Sequence, residues 1–371
     1  MPEFEKLWDD PKKHQKRLKH WLPHWRALAN AIKPKRRMRY LTLCARSMID
    51  VFMLVREKIL LLDPKSRSIS DVNFCECESD DYSEIEEMLG RQGSGFFGKI
   101  EEILLFEDDT FSSQFESIDE IELKLEEEEN LDLPEVGKLR DKLTHLNVRA
   151  SFPYDCINLD FCGYYYPEPP GMLRINDAVK KILEWQRASN EDADINVKEF
   201  LLNVTCRHGD KLPTTASARL KEIIRSNIEA NEQYKKAFEA SRPKLTVDSW
   251  PKKNSEDFFW SGWPKDIAAS AKQFGWSTEI LSCVFYRRRA PDGVQYMIAC
   301  LVIKFSLSLE EPEYLPAALY ALDASKRIEI KEIDRRSPQG QKLLSDLNGI
   351  VKIRNQQAQA KRRQNLPPPR M

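Results

Sequence analysis

Residues 154–163 run from Tyr154 through Cys156, Ile157 and Leu159 to Asp160, Phe161, Cys162 and Gly163, so an apolar stretch ends on a carboxylate, a ring and a thiol. Such a run predicts a strand buried in a parallel sheet, and ligands of such sheets gather just past the carboxyl ends of the strands. Asp160 is the leading candidate for a catalytic or ligand-holding group, with Phe161 and Cys162 beside it. Its bland reading, a cap for the following loop, carries similar weight. Cys162 has no base near it in sequence, so a buried thiol outweighs a nucleophile. The loop over 164–171 holds three tyrosines and three prolines, a composition that suits the wall of a cleft. A second strand over 72–78 finishes on Glu76 and Glu78, and a later one over 200–205 leads to Arg207 and His208.

Eight cysteines are scattered without a CxxC pair, so buried reduced thiols outweigh a zinc site built on Cys75 and Cys77. No metal is expected. No apolar run approaches the ~20 residues of a membrane span, and the acidic N-terminus does not read as a signal peptide, which together suggest a cytoplasmic protein. The net charge of -1 hides an uneven distribution. Residues 11–40 carry eleven Lys or Arg and no acid, and 101–130 carry thirteen acids against Lys124. The end of the chain, 352–371, is basic again.

The positioning elements follow from periodicity. Leu18, Trp21, Leu22, Trp25, Leu28 and Ile32 recur at three and four, which predicts an amphipathic helix with a kink or restart at Pro23. A strand over 40–43, a turn at 44–46, a cap at Ser47 and a helix over 48–61 lead to the strand at 72–78, a βαβ unit. A helix to 89, a glycine-rich loop over 90–98 and a third strand over 103–106 come next. Residues 110–147 read as a poorly packed acidic insertion with a helix over 136–146. After the strand ending at Asp160 come a helix over 174–187, the fifth strand, a charged helical stretch over 214–241 and an aromatic helix over 256–274 with a fresh start at Pro264. A hairpin of 278–286 and 294–305 turns on Pro291, Asp292 and Gly293. Helices over 315–324 and 339–351 flank a short strand over 328–333, and a disordered basic tail closes the chain.

The expected fold is therefore α/β, a doubly wound and mostly parallel sheet with a C-terminal antiparallel hairpin and a helical N-terminal arm. Its parts are a basic arm over 1–37, an α/β domain over 38–306 and a C-terminal extension over 307–371. Five strands alternating with helices, then a hairpin after an aromatic helix, resembles the element order of class I S-adenosylmethionine-dependent methyltransferases. The resemblance covers 38–306 and lies in order more than in motif. It implies S-adenosylmethionine as cofactor, its methionine part held by the first turn at Leu43, Cys44, Ala45 and Ser47. It further implies ribose hydroxyls held by Glu76 or Glu78, and a reaction centre at Asp160, Phe161 and Cys162. The first turn, Cys44-Ala45-Arg46-Ser47, lacks the family's glycines.

The basic segment interleaves cations with Trp21 and Trp25, the residue mix that contacts phosphates and stacks on bases, and Lys35, Arg36, Arg37 and Arg39 are its densest cluster. Nucleic acid and a protein partner are both expected occupants of the basic ends, since complementary charge also steers protein association. The leading function is a methyltransferase-like protein acting on or with nucleic acid. The alternative is a catalytically silent scaffold or sensor subunit of a multiprotein assembly, such as a prokaryotic defence complex.

Overall fold

The computed structural model of the chain describes residues 11–32, 36–43, 47–66, 68–69, 71–90, 95–106, 117–126, 133–166, 175–192, 197–208, 211–289, 293, 295–308 and 310–364. Among these residues eight strands form one sheet: β1 Tyr40–Thr42, β2 Val72–Glu76, β3 Gly95–Phe97, β4 Cys156–Tyr164, β5 Glu199–His208, β6 Trp276–Arg289, β7 Gln295–Leu307 and β8 Arg327–Glu329. Their order is β3-β2-β1-β4-β5-β7-β6-β8. Among the described residues, β7 alone runs against its neighbours, β5 and β6. The mostly parallel sheet with a terminal hairpin is thus as the sequence predicts. From β1 the order runs outward to β3 on one side and from β4 onward on the other, so the switch point at which open α/β sheets place their ligand crevice falls beyond the carboxyl ends of β1 and β4.

The helices are α1 Pro11–Lys16, α2 Leu22–Ile32, α3 Ile49–Arg56, α4 Ser79–Leu89, α5 Ile100–Leu104, α6 Ile118–Glu126, α7 Leu133–Ala150, α8 Ile175–Asp192, α9 Thr214–Ala230, α10 Glu232–Ser241, α11 Trp250–Lys253, α12 Ser255–Gln273, α13 Leu315–Leu322 and α14 Pro338–Gln364. Side chains alternate across a strand, so each strand feeds two cores. Tyr40, Cys156, Leu201 and Val302 pack against Trp21, Trp25, Phe52, Ile85 and Leu347 on the face covered by α2, α3, α4 and α14. Leu41, Ile157, Val204 and Leu301 pack against Ile182, Leu220, Trp263 and Ala318 on the opposite face. No helix among the described residues is long and apolar enough to cross a membrane.

Several expectations are corrected. At Pro23 the arm does not break, because a π turn over Arg17–Trp21 widens the helix just before it, with Leu22 N–H donating to Arg17 O. A proline offers no N–H and crowds the carbonyl four residues back, and one extra residue in the turn relieves both. The third strand is Gly95–Phe97, not 103–106. Ile100, Ile103 and Leu104 repeat at three and four and fold as α5, whose buried face they form. A Cβ at Gly95 would press into the rings of Phe74 and Tyr82, so this strand can join β2 only through a glycine. Within 110–147, α7 is well packed: Val136 and Leu139 are buried, and His145 donates through Nδ1–H to Ile103 O (2.7 Å) and meets the Trp185 ring edge-on. Helix α12 continues through Pro264. α14 extends to Gln364, clamped by Arg354 to Glu84 (2.9 Å), Gln357 to Met88 O (3.1 Å) and Lys361 to Ser66 O (2.7 Å), so part of the basic tail is structural.

Candidate functional site

The register places two acids, Glu76 closing β2 and Asp160 midway along β4. Tyr40 pairs with both Val72 and Cys156, and Thr42 with both Phe74 and Asn158. Two residues further along, Glu76 and Asp160 therefore stand at one height and on one face, either side of the end of β1. With strands ~4.8 Å apart this is a gap of roughly 10 Å. Leu43 ties the wall by donating its N–H to Asn158 O at 3.0 Å. Ser47 does not cap α3. The residue before the helix is Met48, in the left-handed region at φ 47° with no side-chain cap. A bulky residue held there costs about 1–3 kcal/mol, and such strain gathers at ligand clamps. Cys44, Ala45 and Arg46 lie outside the described residues.

Glu76 Oε1 accepts from the N–H groups of Cys77 (2.8 Å) and Glu78 (3.1 Å). Burial raises its carboxyl pKa, partly offset by those two N–H groups. Glu78 lies beyond the strand, exposed, at the start of α4, so Glu76 is the acid at the crevice. Cys75 is buried and Cys77 exposed, which sets the two thiols apart.

Asp160 is not a free carboxylate. Lys13 Nζ is 2.6 Å from it and Lys16 Nζ 3.9 Å, both delivered by α1. Burial alone would raise the Asp160 carboxyl, but the two lysines outweigh it and hold it well below the usual carboxylate range. Lys16 has no exposed surface. It donates to Thr205 Oγ1 at 3.1 Å and sits 4.1 Å from the centre of the Trp21 ring. Burial pulls the Lys16 pKa down and Asp160 pulls it back up. Phe161, next along the strand, turns away into the opposite core, so it is not a neighbour of Asp160 in the crevice. Cys162 lies in the same strand, its side chain outside the described set.

The supporting polar groups went unnoticed in the sequence. Asp50, buried at the start of α3, accepts from Tyr40 Oη (2.6 Å), Thr42 Oγ1 (2.7 Å) and Asn158 Nδ2 (3.0 Å), binding β1, β4 and α3 behind the crevice. The signal was available: an Asp in an apolar helix and an Asn in an apolar strand mark a buried network.

Other expectations are corrected here. Arg36, Arg37 and Arg39 precede β1 at the amino edge, opposite the crevice. Arg36 grips the fully buried Asp155 through Nη1 and Nη2, each at 2.5 Å, and Arg39 donates its N–H to Asp155 (2.8 Å) and its guanidinium to Ser151 O (2.6 Å). Arg37, 63% exposed, lies 3.8 Å from Asp71. Arg36 and Arg39 thus serve as a clamp between β1 and β4, while Lys35 falls outside the described residues. In the expected aromatic wall, Tyr165 packs on Trp263 and Tyr166 donates to Asp266 (2.8 Å), so both are core residues. Tyr164 alone of the three is exposed. A cleft of about 920 Å³ opens on the far face, between α10, α12 and α13. Its wall is tied by Asp257, which accepts from Arg242 (2.9 and 2.7 Å), Arg327 (2.6 Å) and Trp250 (2.9 Å), a stabilising clamp away from the crevice.

The arm carries a pH-sensitive group. His14 is fully buried with neither ring nitrogen bonded, and burial, with Arg17 and Arg56 nearby, lowers its pKa from 6.5 to about 3. Below pH 6.5 the unfolded chain takes up a proton that the folded chain refuses, so stability falls with pH down to about 3. The expected loss by pH 5 is about 2 kcal/mol. His14→Leu should flatten the decline in urea midpoint between pH 6.5 and 5, and an unchanged decline would place the acid sensitivity elsewhere.

No curated protein and no solved structure matches the chain. A family model described as PP_RS20740-like matches residues 3–306. That span holds the arm, the crevice and the first seven strands, and the chain belongs to the PP_RS20740-like family.

Proposed function

We propose that this chain is a methyltransferase-like protein that acts on or with nucleic acid and takes an S-adenosylmethionine-type ligand in the crevice between β1 and β4. The observation that carries the reading is the pairing of Glu76 and Asp160 at one height and on one face, astride β1 where the strand order turns. Five parallel strands followed by an antiparallel hairpin support the class I resemblance. The residues present fit an adenosyl ligand in two respects. Glu76 holds a half-buried carboxylate at the end of β2, an acceptor for ribose hydroxyls, and Met48 takes the left-handed conformation that a glycine would otherwise supply in the first turn. When bound, such a ligand supplies a methyl group on a positively charged sulfur. The protein's own part is to hold the ribose at Glu76 and to exclude water with the arm. The buried free thiols suit a reducing cytoplasm.

A second reading, a silent scaffold or sensor, is favoured by the ion pairs of Asp160. A carboxylate already held by Lys13 and Lys16 is not available to orient a methyl acceptor. Calorimetry with S-adenosylmethionine tests the enzyme reading. Wild type is expected to release heat and Glu76→Ala to weaken affinity at least about tenfold, a loss of ~1.4 kcal/mol. No heat in the wild type ends the enzyme reading and leaves the scaffold. Transfer of labelled methyl to nucleic acid by the wild type supports the enzyme, and binding without transfer supports the silent form.

A further inference from the structure

Beyond the crevice the carboxyl edge carries a row of alternating rings and cations, one from each of four adjacent strands. Tyr164 on β4, 47% exposed, pairs in register with Arg207 on β5. The Arg207 guanidinium lies 4.9 Å from the centre of the Tyr296 ring on β7, and Tyr296 pairs with Arg288 on β6. Three strand spacings make the row about 14 Å across.

The strands that carry it run on past the sheet. Pairing of β5 with β7 ends at His208 and Met297, while β6 and β7 continue together to Arg289 and Gln295. The hairpin therefore lifts Arg288 and the exposed Arg289 above the edge. Alternation sorts the arginines. Arg287 turns to the far face, where Glu256 (2.7 Å) and Glu329 (3.8 Å) neutralise it. Arg288 stays on the arm's face, its guanidinium 5.7 Å from the centre of the Tyr286 ring. The arm adds charge alongside: Lys12 donates to Arg287 O at 3.4 Å, and Lys13 reaches Asp160. Arg207 Nε is buried without a hydrogen-bond partner.

We propose that this row, Tyr164–Arg207–Tyr296–Arg288, binds single-stranded nucleic acid, with phosphates on the arginines and a base stacked on Tyr164. It rests on the reading that the chain acts with nucleic acid and moves the contact from the amino-edge arginines to the crevice edge. The chemistry favours this occupant. Guanidinium groups track a phosphate backbone, and an exposed ring is of use to an unpaired base, whereas bases stacked in a duplex cannot reach it. The row also borders Asp160, so a strand lying on it passes the mouth of the crevice.

Fluorescence anisotropy of labelled 15-mers of dT and rU, with the full chain at 50 and 200 mM salt, tests the assignment. Wild type is expected to bind at least one of them, and the pair shows whether deoxyribose or ribose is preferred. Tyr164→Ala should weaken binding at least about fivefold. The Arg207→Gln, Arg288→Gln double variant should weaken it tenfold or more and reduce the slope of log affinity against log salt by about 1.4, at ~0.7 per phosphate lost. Arg37→Gln, at the far edge, should bind as wild type. Because Tyr164 is exposed, its result stands even if the double variant folds poorly. No binding by wild type, edge variants that bind unchanged, or competition by polyglutamate as strong as by oligonucleotide would overturn the proposal. Cofactor heat without oligonucleotide binding sinks this surface alone, and the converse sinks the cofactor site alone.

Discussion

Asp155→Ala is expected to lower the unfolding free energy by about 3–5 kcal/mol, a cost typical of breaking a buried ion pair by removing one partner. Asp155 has no exposed surface and receives both guanidinium nitrogens of Arg36 and the N–H of Arg39. Its backbone extends the same seam, with its N–H donating to Arg39 O (3.0 Å) and Leu201 N–H donating to its carbonyl (2.9 Å). Removing the carboxylate leaves the three-quarters-buried Arg36 guanidinium and the Arg39 N–H without their acceptor at the seam between β1 and β4. Asp155→Asn keeps the shape and loses the charge, so its loss should be smaller. Urea denaturation measures both, and an alanine variant within 1 kcal/mol of wild type would show that the clamp is dispensable.

Asp160→Ala should release the front of the arm. Lys16 is wholly buried, and without Asp160 no carboxylate lies within ion-pair distance of it among the described residues. Carrying a neutral amine at pH 7, against a usual pKa near 10.4, costs about 4–5 kcal/mol, which bounds the penalty. The chain has a cheaper response, which is to unwind α1. Each of the fully buried Trp21 and Trp25 removes ~200 Å² from water, worth about 5 kcal/mol, so α2 should stay docked while residues 11–17 detach. Trypsin should then cut after Lys13, Lys16 or Arg17 at least tenfold faster than in wild type. Equal cleavage rates would mean that the ion pairs do not hold the arm. The pH profiles separate this contact from His14. The Asp160 contribution is intact above the usual carboxylate pKa near 3.9 and fades only as pH drops through its depressed folded value. Loss between pH 6.5 and 5 therefore belongs to the histidines, His14 foremost, with His20, His24 and His145 shifted the same way by burial.

The long strands and the hairpin were legible because apolar runs of that length, bounded by turn residues, admit few other readings. The height of Glu76 and Asp160 was legible for the same reason, since each closes such a run. β3 was not, because a three-residue strand starting on Gly95 has no pattern of its own and exists through its fit over Phe74. Residues 103–106 misled because four apolar residues in a row suit either period, and the preceding Ile100 decides for a helix. Phe161 was misassigned although alternation settles it: if Asp160 faces the crevice, its neighbour faces the core. Lys13 and Lys16 could not be found from sequence. A run of cations reads as a solvated face, and only a contact some 150 residues along the chain shows that one of them is buried.

Hydrogen–deuterium exchange with and without S-adenosylhomocysteine locates the ligand directly. Protection is expected in peptides covering β1 and the turn after it, and in those covering the end of β2 around Glu76, with the far-face cleft near Arg242 and Arg327 unchanged. Protection confined to that cleft, or none anywhere at saturating ligand, would contradict an adenosyl site between β1 and β4.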